Sequence, residues 1–157
     1  MRFWDSSALV PLLIQQSASR RIEDLLGRDP EVVLWWATPV ECRSALARVE
    51  REGRLAQSGV RQAQDLLDYL RARAFEVQPV EEVRSRAERL LAVHPLRAGD
   101  SLQLSAALLW CREHPRGVGF VCLDDRLRLA AAREGFLVMP YSEEVHEPAP
   151  PSASGLG

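Results

Sequence analysis

The 157-residue sequence contains no lysine, so all 20 of its basic side chains are arginines. It has no long apolar run either. Ala8–Ile14 spans seven residues and Ala106–Cys111 six, against the roughly 20 that a membrane-crossing helix needs. Asp5 puts an acid where a signal peptide would need its apolar stretch, and the expected compartment is the cytoplasm. Cysteine is sparse and unpaired: Cys42, Cys111 and Cys122 match neither a disulfide framework nor a zinc knuckle. They read as small buried hydrophobes in a reducing compartment. The three histidines, His94, His114 and His146, are scattered and form no ligand pattern, which gives them a structural or surface role.

What is present is ordinary for a folded protein. Hydrophobic residues make up 46% and charged residues 27%, which excludes a wholly disordered chain. The length suits one domain with a real core. Residues 143–157, rich in Pro, Ser and Gly towards the end, read as a disordered tail, leaving 1–142 as the domain. An all-arginine basic set suits nucleic acid, because the guanidinium binds phosphate bidentately and stacks on bases. It is equally what an arginine-biased genome would produce. The formal net charge is −2, but Glu143, Glu144 and Glu147 fall in the tail, so residues 1–142 carry 20 positive and 19 negative charges. With four acids masked by metal, the remainder would be about +5, so a nucleic-acid substrate is compatible with the charge.

Short apolar runs alternate with helical periodicity along the chain. Phe3–Trp4, Val32–Trp36, Phe75–Val80, Gly119–Leu123 and Phe136–Met139 read as strands, the third near an edge because of Pro79. Between them, Ala8/Leu9/Leu12/Leu13, Ile22/Leu25/Leu26, Cys42/Ala45/Leu46/Val49, Ala63/Leu66/Leu67/Leu70, Val83/Ala87/Leu90/Leu91 and Leu127/Ala130/Ala131 fall at helical spacing. Gly27 and Gly135 are expected to end two of these helices. Leu102–Cys111 is apolar almost all round and reads as a central buried helix. Strands alternating with helices predict an α/β domain with a mainly parallel sheet covered on both faces, whose ligand site lies at the carboxyl ends of the strands.

Four acids fall at those ends. Asp5 follows the first strand, Asp124 the strand through Leu123, Glu41 sits in the first turn of the helix after Trp35–Trp36, and Asp100 opens the central helix. Crowded carboxylates repel and raise one another's pKa. A divalent cation with oxygen preference, Mg²⁺ or Mn²⁺, removes the conflict, and metal ions so placed support in-line phosphodiester hydrolysis by activated water. Each acid also has a plain structural reading. Thr38-Pro39-Val40-Glu41 has the form of a capping box, Asp100 with Gln103 and Asp124 with Asp125 could cap helices, and Ser7 could cap the first helix. Asp5 is the hardest to explain so, since an unpaired buried charge is costly. Four independent caps at one sheet edge are less economical than one shared site.

The segments Phe3-Trp4-Asp5-Ser6-Ser7-Ala8-Leu9-Val10, Thr38-Pro39-Val40-Glu41, Arg97–Ala107, Cys122-Leu123-Asp124-Asp125-Arg126-Leu127 and Glu134–Val138 together resemble a PIN domain, more narrowly the VapC-type toxins of bacterial toxin–antitoxin pairs. The resemblance covers residues 1–140 in the family's order and spacing. It implies a PIN-like three-layer α/β/α sandwich. It also implies a Mg²⁺- or Mn²⁺-dependent ribonuclease, homodimeric and inhibited by a small cognate antitoxin. Asp5, Glu41, Asp100 and Asp124 match the acidic quartet, with Asp5 and Asp100 as direct metal ligands and Glu41 and Asp124 completing the site directly or through water. Ser7 matches a small polar position that orients the first acid. Asp124 rather than Asp125 fits, because Leu127 follows it by three. Cys122 departs from the pattern, standing where Thr or Ser is common.

Two other readings compete: a catalytically weak PIN-like interaction module whose acids only cap helices, and a phosphate-accepting receiver domain, which normally needs the lysine this chain lacks. Arg43, Arg51 and Arg54 lie within about 80° on one helix face and could grip RNA, although a solvated face pairing with Glu50 is the commoner arrangement. Trp4, Trp35, Trp36 and Trp110 lie in apolar runs and read as core or dimer interface.

Overall fold

A computed structural model describes residues 1–141. The expected tail therefore lies outside the described residues. In chain order the elements are β1 (Arg2–Trp4), α1 (Ser6–Leu13), α2 (Ser19–Arg28), β2 (Val32–Trp35), α3 (Thr38–Arg51), α4 (Gln57–Arg73), β3 (Phe75–Val77), α5 (Glu81–Val93), α6 (Ala98–Trp110), β4 (Gly119–Val121), α7 (Asp125–Glu134) and β5 (Leu137–Met139). The strands form one parallel sheet in the order β3-β2-β1-β4-β5.

The strands are apolar throughout because both faces are covered. Phe3, Val33, Trp35, Val77, Phe120 and Cys122 enter one core with residues of α5, α6 and α7. Their neighbours Trp4, Val32, Leu34 and Val121 enter the other, against α1, α2, Cys42 of α3 and Leu67 of α4. The two-residue period of each strand thus divides one apolar run between two cores. The result is the three-layer sandwich expected. Phe3 and Phe120 stack across β1 and β4 with ring centroids 5.4 Å apart, and Phe136 tilts against Phe120 at 5.3 Å. On α6, the segment Leu104–Leu108 is buried on all sides.

Several local expectations need correction. Gly27 lies inside α2, which runs on to Arg28. Gly135 does end α7, with φ 105° in the left-handed region that a side chain resists. The strands are shorter than their apolar runs. β4 stops at Val121 and β3 at Val77, and Trp36 is 45% exposed rather than core. Trp4 and Trp35 are buried. His94 is buried with Nε2 2.6 Å from Glu134 Oε1, while His114 is exposed; His146 lies outside the described residues. Cys42, Cys111 and Cys122 are all free.

The strand order places the functional crevice. The chain moves outward from β1 to β2 and β3, then returns to β1's other side for β4 and β5. Connections therefore diverge at the carboxyl end of β1, and such a switch point opens a crevice. Asp5 is the next residue.

Packing in the α5–α7 core predicts a large cost for truncation. Leu104→Ala should lose about 2–5 kcal/mol of stability in urea titration, whereas Leu129→Ala, at a position 51% exposed, should change it by no more than about 0.5 kcal/mol.

Candidate active site

The backbone N–H of Asp5 donates to Val121 O at 2.9 Å, which ties the end of β1 to β4. Its side chain then caps α1. Oδ2 accepts from the Ser7 N–H at 2.9 Å and from Ser7 Oγ at 2.5 Å. Ser7 Oγ in turn accepts from the Leu123 N–H at 2.9 Å. Ser7 is therefore not itself the cap of its helix. It is a clamp between Asp5 and the chain leaving β4. The Cys122 thiol stands 3.7 Å from Asp5 Oδ2 and 3.6 Å from both Ser7 Oγ and Asp124 O. Among the described residues no hydrogen bond reaches Asp5 Oδ1.

Asp5 is only 4% exposed. Burial pushes its carboxyl up to about 6 from an ordinary 3.8. The two Ser7 hydrogen bonds pull the other way, and the charges of Glu41 and Asp100 push it up further. Burial, and after it the charges of Asp5 and Glu41, drive the Cys42 thiol up to about 12, and Cys122 is raised by burial and by Asp5. Both thiols are therefore protonated and inert as nucleophiles at neutral pH.

Glu41 is not used in a capping box. Ala37 occupies the cap of α3 and makes no side-chain capping bond. Thr38, fully buried, hydrogen-bonds instead to the Gln103 side-chain amide of α6, at 3.1 and 3.3 Å. Gln103 Nε2 also donates to Glu41 Oε2 at 2.8 Å. Glu41 Oε1 faces Gly99, where a Cβ would stand 3.4 Å away. Asp100 is the third residue of α6, not its cap, and Oδ2 accepts from the Arg97 N–H at 3.2 Å. Asp124 does cap α7, through Oδ1 and the Leu127 N–H at 2.9 Å; Asp125 follows it and is exposed. Arg128 fixes this end of the sheet by donating to the carbonyls of Cys122, Met139 and Pro140 at 2.6, 3.2 and 2.7 Å.

Asp5, Glu41 and Asp100 thus share one electrostatic neighbourhood. Asp124 lies next to it, its charge felt at Cys122. Among the described residues, however, no three His, Cys, Asp or Glu side chains stand close enough to form a ready-made ion cage. The acids converge on one end of the sheet without meeting at ligand spacing. Their donor chemistry nevertheless suits a hard divalent cation: carboxylate oxygens only, with Asp5 Oδ1 accepting no hydrogen bond among the described residues and like charges that a cation would offset.

Gln103 and Gly99 escaped sequence reasoning as parts of this site. Gln103 stands three residues after Asp100, so one face of α6 carries both, and that spacing was the available signal. The arginines expected on one helix face do not share it, because α3 ends at Arg51 and Arg54 lies in the turn beyond. Arg43 donates from Nη2 to both Asp68 carboxylate oxygens at 2.7 and 2.9 Å, and Arg54 pairs with Glu52 at 3.0 Å, so Glu50 is the partner of neither.

No family model matches the sequence, and no curated protein matches it. Solved structures do. VapC20 of Mycobacterium tuberculosis, described as a sarcin-ricin loop cleaving toxin, superposes with a TM-score of 0.61 at 16% identity, over 83% of this chain and 95% of its own. FitAcB from Neisseria gonorrhoeae gives 0.60 at 17% identity over 88% and 96%. PAE2754 from Pyrobaculum aerophilum gives 0.54 at 21% over 82% and 78%. The chain has the fold of these proteins.

A carboxyl raised from 3.8 to about 6 binds its proton more tightly in the folded state. The associated stability is complete below pH about 4 and is lost as pH rises through about 6, a difference of about 3 kcal/mol. Asp5→Asn keeps the oxygen that Ser7 needs and removes the charge. In chemical denaturation without divalent metal it should exceed the wild type by about 1–3 kcal/mol at pH 7.5, and the gap should close near pH 4. An unchanged gap across that range would contradict the assigned burial.

Proposed function

We propose that this protein is a Mg²⁺- or Mn²⁺-dependent endoribonuclease, the toxin of a toxin–antitoxin pair. The observation that carries the reading is Asp5: a buried carboxylate at the switch point of a parallel sheet, with a free oxygen and two like charges beside it. The shared fold with VapC20, a sarcin-ricin loop cleaving toxin by its description, supports the choice of RNA.

Asp5 and Asp100 would be direct ligands, with Glu41 and Asp124 completing the site directly or through water. The cation, when bound, would supply charge neutralisation and a water of lowered pKa for in-line hydrolysis. Ser7 holds Asp5 by its Oδ2 and leaves Oδ1 for the ion. Asp124 spends Oδ1 on its helix cap, which leaves Oδ2. Cys122 replaces a hydroxyl with a weaker donor, so Asp5 depends on Ser7 for its orientation. Arg97 and Arg126 are exposed beside Asp100 and Asp124 and have no ion-pair partner among the described residues, so they are available to RNA phosphates. The partners of this reading are the RNA substrate, a small cognate antitoxin and a second copy of the chain, in the cytoplasm.

The lack of a ready-made ion cage among the described residues and the capping bond of Asp124 favour one second reading, an interaction module of the same fold without useful catalysis. The two separate on one assay. Purified protein should cleave RNA when Mg²⁺ or Mn²⁺ is added and stop when it is chelated. Asp5→Asn and Asp100→Asn, purified identically, should each lose about 10²–10³-fold in rate. Equal cleavage by wild type and both variants would identify a contaminating nuclease and leave the interaction module standing.

A further inference from the structure

Gln103 is 1% exposed, on a helix whose next turns are Leu104, Ala106, Ala107 and Leu108, all buried. A primary amide in such a setting is costly unless its hydrogen bonds are made. Here they are made to two residues of α3. Thr38, itself fully buried, holds the amide through Oγ1, and Nε2 donates to Glu41 Oε2 at 2.8 Å. An ionised carboxylate can only accept, so the contact fixes which end of the amide faces Glu41. The other Glu41 oxygen, Oε1, lies beside Gly99, where a Cβ would stand 3.4 Å away in van der Waals contact. One carboxylate oxygen is therefore pinned from α6, and its partner accepts no hydrogen bond among the described residues. Asp100 lies one turn before Gln103 on α6, so the same helix that supplies one acid also sets the angle of another.

We propose that Gln103 is a positioning residue: through the Thr38–Gln103–Glu41 hydrogen-bond chain it presents Glu41 Oε1 to the divalent cation. The inference rests on the metal-dependent reading above. Partners that orient a metal-binding carboxylate typically contribute 10–100-fold in affinity. Thr38 Oγ1 accepts from Nε2 and donates to the amide oxygen, which keeps the amide from rotating away.

The test is Mn²⁺ titration by calorimetry, with RNA cleavage kinetics on the same preparations. Gln103→Leu, close in volume, should weaken Mn²⁺ binding 10–100-fold and lower kcat while leaving KM for RNA unchanged. Thr38→Val should act in the same direction and more weakly, which guards against a folding failure in the first variant. In a Glu41→Gln background, Gln103→Leu should cause no further loss of Mn²⁺ affinity, because the carboxylate it positions is gone. A merely structural Gln103 would add its loss in either background, and that additivity would overturn the proposal. So would undiminished Mn²⁺ affinity in Gln103→Leu beside an active wild type, with the nuclease reading left intact. A wild type that neither binds Mn²⁺ nor cleaves RNA would overturn both.

Discussion

The burial of one carboxylate organises this protein. Asp5 follows a three-residue strand whose neighbours on either side belong to opposite windings of the chain, so its side chain is placed where the sheet opens. Phe3 and Trp4, both fully buried, hold that strand between two cores. Keeping a charge there opposes folding, and the carboxyl answers by holding its proton up to about pH 6. Two further acids from α3 and α6 make its ionisation harder still. Among the described residues no arginine pairs with the acid, and in the proposed reading a divalent cation is the group that would offset its charge.

The supporting contacts are directed at orientation more than at stability. Ser7 bridges Asp5 to the Leu123 backbone. Gln103 bridges Glu41 to Thr38. Arg128 gathers three carbonyls where β4 and β5 end. Each of these side chains ties an acid, or the loop carrying one, to a different element of the sandwich, so the site depends on the packing of both cores. The buried thiols of Cys42 and Cys122 feel the Asp5 charge, stay protonated and bring no competing charge.

Much of the architecture was legible in the sequence because apolar period and strand order are tightly linked to fold class. The run Val32–Trp35 has no polar face, and that alone requires a sheet covered on both sides. Asp5, Glu41, Asp100 and Asp124 could be picked out because each falls at a strand end or helix start. What could not be read was the partnership of individual side chains. Thr38-Pro39-Val40-Glu41 has every local mark of a capping box, yet the helix begins at Thr38 itself and both polar groups turn to Gln103, 65 and 62 residues away. Local rules cannot see a partner that tertiary packing supplies. Gly27 misled for the opposite reason: a glycine near a helix end is only permitted to terminate it, and α2 continues to Arg28.

The most direct measurement is the proton balance of cation binding. If the Asp5 carboxyl titrates near pH 6 and the cation takes the place of its proton, Mn²⁺ titrations at pH 6, repeated in buffers of different ionisation enthalpy, should report about half a proton released per binding event, falling to about zero at pH 8. Mn²⁺ binding with no proton release at pH 6, or no binding at all, would contradict the account.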